Sequence, residues 1–85
     1  MIDAQVKAQV LRVLLKASGQ PIPQATLCDA LRLSFPHVSF TQLDLNRWIA
    51  DCEELQWIAG TEDELLGKIW GLTAKGQLRA QGLRG

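Results

Sequence analysis

Eighty-five residues, 47% of them apolar and three of them tryptophan, suffice for one folded domain over 1–85 and exclude a disordered tail. Nine basic and nine acidic side chains cancel to a formal charge of zero, which excludes a long-range field drawing the whole molecule onto nucleic acid or an anionic membrane. Any contact with DNA then requires a local basic face with the acids segregated elsewhere.

The opening "MIDAQVKAQV" has an acid among its first residues and no uninterrupted apolar run, so no signal peptide is expected. No segment approaches the ~20 apolar residues that span a bilayer, and a cytoplasmic chain without a membrane partner is expected. Ile2, Val6, Val10, Leu11, Val13, Leu14 and Leu15 recur in steps of three and four, which predicts an amphipathic first helix. Asp3 is its expected N-cap, and "ASG" ending at Gly19 its stop. Lys7, Arg12 and Lys16 ride its polar side.

The prolines of "GQPIPQ" rule out helix, and Ile22 between them suits a short extended piece docked on a later hairpin. Pro23 fits the first turn of a second helix, "QATLCDALR", whose Leu27, Cys28 and Leu31 form a narrow apolar stripe. "LSFPHVS" is a long turn with Phe35 and Val38 as expected plugs and His37 as a turn residue.

Ser39 or Thr41 caps a third helix running to about Leu55. Its Leu45, Trp48, Ile49 and Cys52 fall within an arc of about 100° and form the buried stripe. The opposite face carries Leu43, Asn46, Arg47, Ala50 and Glu54. Leu43 there either turns inward at the helix start or is an exposed contact residue. "WIAGTEDELLGKIW" then predicts a β-hairpin with the acidic "TEDE" at its tip, and "TAKGQLRAQGL" a closing helix capped by Thr73. The fold class is therefore mainly α with a small β-hairpin (α+β), in the order helix, short strand, helix, helix, hairpin, helix.

Cys28 and Cys52 each lie among apolar residues of a helical pattern and are expected as buried reduced thiols. With His37 they make no metal-ligand spacing, and no cofactor is implied. A Ser-His-acid set, a phosphate-cradling glycine loop and a paired-histidine motif are all missing from the sequence, so no enzyme is expected.

Two further patterns carry a resemblance. "WIADCEELQWI" is similar to the "LxxLExxGLI" that ends the third helix of bacterial and phage winged helix-turn-helix proteins, with Trp48, Cys52, Trp57 and Ile58 at the apolar positions and Gln56 where a glycine is usual. The exit from the hairpin resembles their "YxLTxKGxxxL", through Trp70, Leu72, Thr73, Lys75 and Gly76. "ATLCDALRL" resembles their second helix. The resemblance covers nearly the whole chain and implies a winged helix-turn-helix fold that binds double-stranded DNA, as in a small transcription regulator. It also implies that Trp48, Trp57 and Trp70 are core residues.

In that family the third helix enters the major groove, which would bring Thr41, Gln42, Asn46 and Arg47 to base edges. Arginine can fork two hydrogen bonds to guanine, and asparagine or glutamine can pair with adenine. The same residues also suit an ordinary solvated helix face. Asp44 and Asp51 on the flank of this helix repel phosphates unless they point aside or accept from a cytosine amine. Lys68, Lys75, Arg32 and Lys16 are phosphate-contact candidates. Glu62, Asp63 and Glu64 oppose insertion of the hairpin into a groove, since screening lengths of ~8–10 Å do not hide charges touching the backbone. Three readings stay open for them: the hairpin tilts away from DNA, meets a basic protein partner, or merely keeps a sheet edge soluble. The rival reading of the chain is accordingly a protein-interaction module with Leu43 and the acidic hairpin as contacts. A homodimer, through the apolar first helix or the C-terminal "LRAQGLRG", is a further expectation.

Overall fold

The computed structural model describes residues 2–17 and 20–82, with the side chain of Ile2 excepted. The elements follow in the expected order: α1 (Ile2–Lys16), β1 (Ile22–Pro23), α2 (Gln24–Ser34), α3 (Gln42–Glu54), β2 (Ile58–Asp63), β3 (Gly67–Leu72) and α4 (Ala74–Gly82). The fold is mixed α+β, four helices against a three-stranded antiparallel sheet of order β1-β3-β2. The extended piece at Ile22 docks as expected, with Ile22 opposite Trp70 and Pro23 opposite Ile69.

The core forms where the stripes of the three longer helices meet the sheet. Val6, Val10, Leu11 and Leu14 of α1 join Leu27, Cys28 and Leu31 of α2, Leu45, Trp48, Ile49 and Cys52 of α3, then Ile58, Trp70 and Ala80. The periodicities of α2 and α3 thus identify their buried faces. Val13 and Leu15 of α1 are half-buried against the same core. Gly19 and the last three residues of "LRAQGLRG" lie outside the described residues.

Thr41, not Ser39, caps α3. Its Oγ1 accepts from the Asp44 N–H at 3.1 Å while Asp44 Oδ2 accepts from the Thr41 N–H at 3.3 Å, a reciprocal capping box. Thr73 caps α4 as expected, accepting from the Gly76 N–H at 3.0 Å. Two caps differ from expectation. Pro23 has ψ 147° and sits at the N-cap of α2, because it is still extended as the last residue of β1, opposite Ile69. Asp3 lies inside the first turn of α1, and its Oδ1 accepts from the Trp48 indole N–H at 3.2 Å. Val38 is 41% exposed and plugs nothing. Phe40 takes that place, edge-on to Phe35 at 5.8 Å and to Trp48 at 5.2 Å.

The largest difference is at the hairpin. Where the sequence predicts an acidic tip, Thr61, Glu62 and Asp63 belong to β2 and face Ile69, Lys68 and Gly67 across the ladder. The connecting loop is Glu64, Leu65 and Leu66. Asp63 Oδ1 accepts from the N–H groups of Leu65 (2.8 Å) and Leu66 (3.0 Å), and Gly67 closes the loop at φ +77°, a conformation glycine adopts freely. Those two amides also hold the Asp63 carboxyl below the usual carboxylate range. The tip therefore presents leucines, 93% exposed at Leu65 and 60% at Leu66.

Candidate nucleic-acid interface

The outward face of α3 carries Gln42, Leu43, Asn46, Arg47 and Ala50, all exposed, opposite the buried stripe. Leu43 does not turn inward; it is 78% exposed. A continuous polar chain ties the first turns of this face to its neighbours. Arg32 of α2 donates through Nη2 to Gln42 Oε1 at 3.3 Å, and Gln42 Nε2 donates to Asn46 Oδ1 at 2.9 Å, one turn on. Gln24 Nε2 donates to the same Asn46 oxygen at 3.0 Å, and Gln24 Oε1 accepts from the Trp70 indole N–H at 3.3 Å. The Lys68 ammonium lies 5.1 Å from the centroid of the Trp70 ring.

The structure thus gathers four of the sequence candidates, Arg32, Gln42, Asn46 and Lys68, along one path from α2 across α3 to β3. Arg47 lies beside them on α3, one helical turn from Leu43. Thr41 is at the edge of the same face, with its oxygen engaged in the cap and its hydroxyl proton still able to donate. Lys16 ends α1 and lines a shallow groove with Arg12, Leu15 and Ala80, and Lys75 is exposed in the first turn of α4. Neither joins the path. Gln24 and Trp70 are the members that sequence reasoning missed. A buried indole requires an acceptor, but only the pairing of Ile22 with Trp70 brings Gln24 close enough to supply it.

The two acids beside the face are both turned aside. Asp44 bends back to the helix N-terminus, where the capping bond and the helix dipole hold it. Asp51 points to α1, its Oδ2 3.8 Å from Lys7 Nζ. Glu54 shares the outward face but lies seven residues beyond Arg47, about 10 Å along the helix and near one screening length away. The exposed face of the N-terminal half of α3 then carries Gln42, Asn46 and Arg47 with Leu43 among them, and Asp44 held at the cap.

Glu62, on β2, faces Lys68 across the ladder, and Glu64 sits in the loop with Leu65 and Leu66. Cys28 and Cys52 are buried and unpaired as expected. Among the described residues no three His, Cys, Asp or Glu side chains gather to hold a metal ion, and no helix is long and apolar enough to cross a membrane. No family model matches the chain, and comparison with curated proteins and with solved structures finds no match.

Proposed function

We propose that the chain is a winged helix-turn-helix DNA-binding domain, a small transcription regulator of bacterial or phage type that reads the major groove with α3. The observation that carries this reading is the placement of the two acids that flank the exposed face of α3. Asp44 is bound into its own helix cap and Asp51 faces Lys7, so Gln42, Asn46 and Arg47 meet solvent with Arg32 beside them. A helix face that touches base edges needs donors and acceptors free of uncompensated negative charge, because each phosphate it passes is an anion. The intramolecular bonds of Gln42 and Asn46 hold their amides in fixed orientation before contact, which lowers the ordering cost of binding. Lys68, over the Trp70 ring near the loop end of the hairpin and opposite Glu62, suits a phosphate next to the groove.

Fluorescence anisotropy of a labelled duplex, titrated at low salt and at about fourfold higher salt, tests the reading. Affinity should fall steeply with salt, with a log–log slope near −0.9 per neutralised phosphate. Arg47→Ala should weaken binding by about tenfold or more, because a two-bond arginine–guanine contact contributes ~1–3 kcal/mol. Absence of binding by the folded protein at low salt, or an unchanged affinity for Arg47→Ala, rejects it.

The exposed leucines favour the second reading, a protein-interaction module on the same fold. Leu43 on the outward face of α3 and the adjacent pair Leu65 and Leu66 at the hairpin tip are apolar surface that a protein partner could cover.

A further inference from the structure

The hairpin tip is apolar and flanked by acids, and a groove between α1 and α4 is apolar with cations beside it. The tip is a small apolar knob. Leu65 and Leu66 project from a three-residue loop that the Asp63 carboxylate and Gly67 hold in one conformation, and Glu62 and Glu64 flank them. The groove, about 520 Å³, opens between α1, the α3–β2 junction and α4. Ala4, Ala8, Leu55 and Trp57 give it an apolar lining, and Lys7 and Arg79 stand at it as cations. The Arg79 guanidinium lies 5.7 Å from the Trp57 ring centroid, over the indole. Asp3 also borders the groove, with one carboxylate oxygen taken by the Trp48 indole N–H.

A chain cannot fill its own groove with its own tip. Trp57 lines the groove and directly precedes β2, whose six residues, at about 3.3 Å each, carry the loop roughly 20 Å away. The occupant must come from another molecule. Leucines fit the apolar lining, Glu64 fits Arg79, Lys7 stands at the groove as a second cation 3.8 Å from its own Asp51, and a net charge of zero leaves no general repulsion between copies.

We propose that the Leu65–Leu66 tip of one copy docks in the α1/α4 groove of the next, a head-to-tail self-association. Knob and hole are different surfaces, so the contact is heterologous and either propagates or closes into a ring; it does not stop at a symmetric dimer. The buried area is small, and the association is weak and reversible. It is independent of DNA binding, and its test contains no nucleic acid.

Sedimentation velocity over a wide concentration range should show the mean mass of the wild-type protein rising past that of a dimer. Leu65→Glu, at a 93%-exposed position, and Ala4→Glu, exposed in the first turn of α1 where an acid suits the helix dipole, should each leave the fold intact by circular dichroism. Each alone should lower the association constant by about tenfold or more. Mixed together, they should form a one-to-one dimer that grows no further, because Ala4→Glu retains a tip and Leu65→Glu retains a groove. A wild-type protein that stays monomeric, a symmetric dimer insensitive to both variants, or a mixture that does not pair overturns the proposal.

Discussion

Gln56 is held at φ 65°, the left-handed region that an L side chain enters at a cost of roughly 1–2 kcal/mol. The helix end requires it. The Gln56 N–H reaches the Glu53 carbonyl at 2.9 Å and the Trp57 N–H reaches the Cys52 carbonyl at 3.1 Å, a Schellman closure whose left-handed residue is usually glycine. The chain therefore carries local strain at the joint between α3 and β2, where family resemblance also expects glycine. Gln56→Gly should stabilise the fold by about 0.5–1 kcal/mol, since the added backbone freedom of the unfolded state offsets part of the relief. For a domain of this size that is a few degrees in Tm by thermal melting. An unchanged or lower Tm would show that the Gln56 side chain contributes something the backbone geometry does not.

At the level of elements, α4 is locked to the α3–β2 joint at short range. The Thr73 N–H donates to the Trp57 carbonyl at 3.0 Å, the Thr73 hydroxyl donates to the Gln56 carbonyl, and Gly76 passes so close that a Cβ there would overlap the Trp57 carbonyl. Because the obstacle is backbone, it cannot swing aside as a side chain does. Gly76→Ala should cost about 2–3 kcal/mol in urea denaturation, with α4 displaced from the joint. A loss below ~0.5 kcal/mol would mean the helix slides without penalty. The hairpin was partly legible in the same way. Alternating apolar residues and Gly67 announced two strands and a turn, but the register that moves Glu62 and Asp63 into β2 depends on pairing with β3. A shift of a few residues along a strand changes which side chains crown the loop, and it exchanged an acidic tip for an apolar one.

Across the whole molecule, burial links the core to pH. Burial pushes the Cys52 thiol up to about 11, with Lys7 opposing and Asp51 assisting the rise. In the unfolded chain the thiol ionises near pH 8.5. Because the folded value is the higher, the protonated thiol's contribution is complete below about pH 8.5 and is lost as pH rises toward 11. The urea midpoint of the wild-type protein should therefore fall more steeply over that window than that of Cys52→Ala. Parallel pH profiles would show that the thiol reaches water in the folded state.

The buried stripes of α2 and α3, the cap at Thr73, the extended piece at Ile22 and the free buried cysteines were readable from residue order, because each follows from residue type and spacing within a dozen residues. The choice of Thr41 over Ser39 and the pairing of Ile22 with Trp70 were left to the packed structure. Nor was side-chain direction at a shared surface readable. That Asp44 and Asp51 turn aside, that Arg32, Gln42, Asn46, Gln24 and Trp70 join in one chain, and that Leu65 crowns the hairpin all depend on contacts between segments distant in sequence. Periodicity reports which face of an element is apolar. It carries no information about the partner that a polar side chain meets once the elements have packed.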